Sequence, residues 1–182
     1  MKNLVIHPTD ASTDFLKPIY ANITDATILN GGMGKGQVAK LISEHDRIIM
    51  MGHGSPFGLF SVGQFIGKNG YVIDDTMSDL LIEKKNNILI WCYASDFAVR
   101  MGLKGFFTGM FISEISEAMI FDMKVSQKTI DESNECFVNV ISNLVTKDAK
   151  DIYESIMVSE YRYISKHNPI AKYNIDRLKF IN

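Results

Sequence analysis

The chain has 182 residues, a length that fits one domain. It is 46% hydrophobic and 22% charged, a balance that can bury a full core and excludes a disordered composition. With 19 basic against 21 acidic residues the net charge is -2, which excludes the electrostatic footprint of a nucleic-acid or membrane-surface binder.

In chain order, strand-like and helix-like segments alternate. "NLVIH" (3–7) reads as a buried strand. "STDFLKPIYANI" (12–23) reads as a helix with Ser12 at its N-cap and a late start or kink at Pro18. "ATIL" (26–29) is a second strand and "GQVAKLISEH" (36–45) a second helix, with Val38, Leu41 and Ile42 on one face. "RIIMM" (47–51) is a third strand. "GLFSVGQF" and "GYVI" suggest a hairpin excursion with glycine-rich turns. "DDTMSDLLIEKK" (74–85) opens acidic and closes basic, as a helix dipole favours. "NILIWC" (87–92) is a fourth strand, "ASDFAVRMG" (94–102) a short helix ending at Gly102, and "GFFTGMFIS" (105–113) a fifth strand. Two long amphipathic helices, 129–145 and 148–164, and a polar tail complete the chain.

This order predicts an α/β fold, a three-layer sandwich with a mostly parallel central sheet. The continuously apolar strands agree, because parallel sheets are buried on both faces. The expectation is a single domain over 1–182, with residues from about 126 onward forming C-terminal helices packed on it.

In such a sheet, ligands and reactive groups sit just beyond the carboxyl ends of the strands. Two chemically capable residues fall there: His53 after the third strand and Cys92 at the end of the fourth. If those strands are neighbours, thiol and imidazole share a cleft, as a nucleophile and its general base require. Gly52 and Gly54 permit a sharp turn, and the amides of Gly54 and Cys92 could serve as oxyanion donors. Equally, Cys92 could be a small buried hydrophobe and the glycine turn no more than a turn.

"RIIMMGHGSPFGLF" followed by "NILIWCYAS" resembles the caspase-like cysteine peptidases: caspases, legumains, gingipains, separases and CHAT domains. Their pattern is an apolar strand ending in His-Gly, then a second ending in the nucleophilic cysteine. Here His53-Gly54 and Cys92 match, while Trp91 stands where the family has a small residue and narrows the pocket expected there. The layout around Ser95, the following helix and the strand after it also resemble the CHAT arrangement. The resemblance covers residues 3–145 in topology and two short motifs in sequence.

The resemblance implies an endopeptidase working through an acyl-enzyme. His53 would be the base, Cys92 the nucleophile, and the Gly54 and Cys92 amides the oxyanion hole. It implies no cofactor. Asp10, in the loop after the first strand, or Asp96 after the nucleophile, would select a basic residue before the scissile bond, with Trp91 and Ser95 lining the substrate site. The competing role for Asp10 is to cap the helix that follows. The partner implied is a peptide or protein substrate, with no nucleic acid and no membrane; a regulatory partner or a second copy stays open. A cytoplasmic location is expected, because the N-terminal apolar run is too short for a signal peptide and two cysteines make no disulfide framework.

Two other readings compete. One is a catalytically inactive caspase-like module used for interaction or ligand binding. The other is a flavodoxin-like nucleotide or anion binder using Gly31–Gly36, where "LNGGMGKGQV" places glycines and Lys35 between a strand and a helix. That loop misses the P-loop pattern, since Gly36 follows Lys35, and the dinucleotide pattern, since Gln37 stands at the third glycine. The four histidines show no zinc-type spacing, so no metal is expected, and Cys136 reads as structural.

Overall fold

The structure is a computed structural model that describes residues 1–66 and 70–182. Residues 67–69, in a predicted turn of the hairpin excursion, lie outside the described residues. The elements run β1 (Asn3–Ile6), a 3-10 turn (Ala11–Leu16), α1 (Pro18–Ala21), β2 (Thr27–Leu29), α2 (Lys35–Glu44), β3 (Arg47–Met51), β4 (Gly54–Ser55), β5 (Gly58–Phe60) and β6 (Tyr71–Ile73). They continue with a second 3-10 turn (Asp75–Met77), α3 (Ser78–Ile82), β7 (Asn87–Ile90), α4 (Ala94–Met101), β8 (Gly105–Thr108) and α5 (Ile115–Ile120). The chain ends with α6 (Gln127–Leu144), α7 (Ala149–Ile156), α8 (Glu160–Ile164), α9 (Pro169–Ile175) and β9 (Leu178–Ile181).

The central sheet has six strands in the order β2-β1-β3-β7-β8-β9. Its first five strands are parallel, and β9 closes the edge antiparallel to β8. Strand residues alternate between two cores, as period-two side chains must. Val5, Ile49, Ile88 and Phe106 face a core shared with α1, α6, α7, α8 and α9. Leu4, Ile48, Leu89 and Phe107 face a second core shared with α2, α3 and α4. Helices therefore cover both faces of a mixed, mostly parallel sheet, an arrangement compatible with a three-layer sandwich.

Four local expectations change. Asp10, not Ser12, caps the first helical turn, because its carboxylate accepts the Ser12 amide. Pro18 then opens α1 at the position where its missing N–H costs nothing. The fifth strand stops at Thr108, and the predicted helix at 148–164 divides at Ser159, whose side chain caps α8. The polar tail is not irregular: Asn168 caps α9, and Leu178–Ile181 pairs with β8.

Strand order reverses between β1 and β3, since β1 leads outward to β2 and β3 leads to β7. In an open parallel sheet such a reversal opens a crevice at the strands' carboxyl ends. His53 lies there, at the end of β3, and Cys92 follows the neighbouring β7.

Candidate functional site

His53 follows β3 through Gly52, whose φ of 136° suits only glycine. Cys92 follows β7. The two strands pair in parallel with Met51 opposite Ile90, and the Gly52 amide still donates to Ile90 O at 3.1 Å. Counting two residues on from each brings His53 level with Cys92. Both line one small cavity, together with Thr13, Gly52, Ser113 and Glu117. Its volume is about 20 Å³, the space of a single water.

The imidazole is held from one side. His53 Nε2 lies 2.6 Å from Ser12 Oγ and 3.9 Å from Asp10 Oδ1. Ser12 Oγ donates to Asp10 Oδ1 at 2.5 Å, and the Ser12 amide donates to the same oxygen at 2.9 Å. The Ser12 hydroxyl and then its amide hold the Asp10 carboxyl below its usual range. Beneath them His7, at the end of β1, is buried with Nδ1 3.0 Å from Tyr20 OH and Nε2 3.1 Å from Thr13 Oγ1. Burial pushes His7 down to about 4, so it is neutral at neutral pH.

The thiol is held from the opposite side. Cys92 Sγ lies 3.3 Å from Phe111 O and 3.7 Å from Glu117 Oε1, two acceptors for one S–H proton. Burial first, and then the Glu117 carboxylate, pushes the thiol up to about 12. It is therefore protonated at neutral pH. The other oxygen of Glu117 accepts the amides of Ser113 and Glu114 at 2.7 and 3.1 Å, fixing the carboxylate at the start of α5. Tyr93, directly after the thiol, takes a left-handed conformation at φ 67° and starts α4. Such strain in a non-glycine residue persists only where its surroundings enforce it.

Of the remaining candidates, Trp91 also lines the cavity. The Trp91 side chain belongs to the opposite core, against Phe97, and its Nε1 donates to Ser55 O at 3.2 Å. This explains Gly54: a Cβ there would come within 2.2 Å of Trp91 Cδ1. Gly54 stands opposite Leu59 while its neighbour His53 accepts from the Phe60 amide, so the Gly54 N–H points away from β5. Ser95 is buried in the first turn of α4, and Asp96 is exposed beside it. Asp10 spends its carboxylate on Ser12.

The glycine-rich loop is stitched to the β5–β6 excursion. The Gly32 amide donates to Gln64 O, the Gly34 amide to Gln37 Oε1, and Lys35 is ion-paired with Asp74. The Gly32 and Gly34 amides and the Lys35 ammonium are thus already engaged. Cys136 sits partly buried in α6. Among the described residues no cluster of histidine, cysteine and carboxylate side chains is arranged to hold a metal ion.

No family model, curated protein or solved structure matches the chain. Sequence reasoning located His53 and Cys92 but missed Ser12, Glu117 and His7. Glu117 carried a usable signal, because an acid three residues into a helix is a capping-box pattern. Ser12 and His7 carried none, since their roles depend on contacts with distant segments.

Proposed function

We propose that the chain is a cysteine endopeptidase of the caspase-like kind, with His53 as general base and Cys92 as nucleophile. The observation that carries this reading is the register of β3 and β7, which brings the two residues level at one cavity at the sheet's carboxyl edge. The reading assigns the Gly54 amide, directed away from β5, as an oxyanion donor.

In the reaction, His53 takes the Cys92 thiol proton as sulfur attacks the scissile carbonyl carbon. The oxyanion that forms is met by the Gly54 and Cys92 amides. The tetrahedral intermediate collapses, the C–N bond breaks, and His53 returns the proton to the leaving amine. Water, deprotonated by His53, then hydrolyses the thioester and restores the thiol. The described geometry corresponds to a resting state, in which Cys92 is turned to Phe111 O and Glu117. Entry of substrate must widen the cavity and free the sulfur.

The inactive-module reading has one specific observation in its favour, the thiol pushed up to about 12. A peptide-library digestion separates the two. The peptidase reading expects cleavage by the wild type and none by Cys92→Ala or His53→Ala. Absence of cleavage by the wild type, or cleavage that survives in Cys92→Ala, contradicts it.

A further inference from the structure

We propose that Asp10 and Ser12 are positioning residues that hold His53 as the Nε2–H tautomer, leaving Nδ1 with the lone pair. Its catalytic consequence rests on the reading of His53 and Cys92 as a reacting pair; the tautomer itself does not.

The available protons decide the tautomer. Ser12 has one hydroxyl proton, and Asp10 Oδ1 lies 2.5 Å from its oxygen. Asp10, carboxylate at neutral pH, can only accept. With its proton on Asp10, Ser12 Oγ offers only lone pairs to His53 Nε2, 2.6 Å away. That nitrogen must therefore carry the hydrogen. The alternative polarity turns the hydroxyl proton toward His53. It removes the strongest bond to the carboxylate and sets an imidazole lone pair 3.9 Å from Asp10 Oδ1. Both changes are unfavourable.

The result is a chain from imidazole N–H to serine hydroxyl to carboxylate. In Ser-His-Asp triads a carboxylate bound to one imidazole nitrogen fixes the tautomer and steadies the imidazolium that forms when the other nitrogen takes a proton. Here a serine is inserted between the two, and Asp10 acts on His53 through it. The neighbouring His7 does not compete as the base, since Tyr20 and Thr13 occupy both of its nitrogens. Asp10 thus has a role other than selecting a basic residue of the substrate.

The test is NMR of ring-15N-labelled histidine at a pH where imidazole is neutral, with Ser12→Ala and Ser12→Thr alongside the wild type. The expected result is His53 as Nε2–H in the wild type, a mixture of tautomers in Ser12→Ala, and recovery in Ser12→Thr. In parallel, the maximal rate of Cys92 alkylation by a peptide electrophile falls about tenfold in Ser12→Ala, the scale of lost supporting hydrogen bonds. The half-saturating probe concentration stays the same. An Nδ1–H tautomer in the wild type overturns the proposal and makes Ser12 the activated hydroxyl. An unchanged tautomer in Ser12→Ala overturns it as well. If the tautomer shifts as expected but Cys92 proves indifferent to His53→Ala, the positioning stands and the peptidase reading fails.

Discussion

At the end of β3, His53 keeps 28% of its side chain exposed and is bound to Ser12, itself bound to Asp10. At the end of the neighbouring β7, Cys92 is turned to a carbonyl and a carboxylate, and its thiol is pushed up to about 12. The two strand ends are level in the sheet and differ in electrostatics. One binds an imidazole to a hydroxyl that is itself bound to a carboxylate. The other surrounds a thiol with groups that oppose its losing a proton. On the proposed reading of the two as base and nucleophile, it is the nucleophile that is held back. Any activating change has to act on the β7 side, where Glu117 links the thiol to the start of α5.

The largest expected effect concerns the support of the β3 side. His7 is depressed from 6.5 to about 4, so folding favours its neutral form. Stability from this group is fully present above pH 6.5 and is lost as the pH falls toward about 4, by up to about 3 kcal/mol. Denaturant unfolding across that window should show the loss, and His7→Gln should flatten it. An equal slope in the variant would remove His7 from the account.

Next is the contact between the two strand ends. Gly54→Ala drives a methyl into Trp91 and toward Gly58 O, 2.7 Å from the ideal Cβ. The expected loss is about 2 kcal/mol, the scale of overpacking. The protein has one tryptophan, so its fluorescence reports the displacement directly. An unshifted spectrum with unchanged stability would show that β4 does not rest on the indole.

The smallest effect is the most specific to the β7 side. Glu117→Gln removes a charge that holds the thiol proton, so the thiol should fall from about 12. Each unit of that fall raises the thiolate fraction tenfold at a pH below the thiol's own. Iodoacetamide modification of Cys92 should accelerate about tenfold, with Cys136 unchanged as internal reference. No acceleration would mean that burial alone suppresses the thiol.

The sheet was legible because its strands are continuously apolar and regularly spaced by helical segments. Ile48–Met51 and Ile88–Ile90 could be placed, and with them the carboxyl edge on which His53 and Cys92 stand. The closing edge was not legible. "LKFI" is four residues with an exposed lysine, and it becomes a strand only because β8 offers an open edge. The same limit applied at the site. Ser12 and His53 are 41 residues apart, and Cys92 and Glu117 are 25 apart. No local periodicity encodes such meetings. Asp10 was legible as a cap but not as the anchor of a histidine, since the second role requires β1 and β3 to be adjacent.

The central claim is that His53 activates Cys92. It is tested most directly by labelling the intact protein with an electrophilic peptide and locating the adduct by mass spectrometry, in the wild type and in His53→Ala. The account predicts an adduct on Cys92 that forms on the order of a hundredfold more slowly without His53, the contribution of a positioned general base. Equal labelling of Cys92 and Cys136, or a Cys92 rate indifferent to His53, would contradict it.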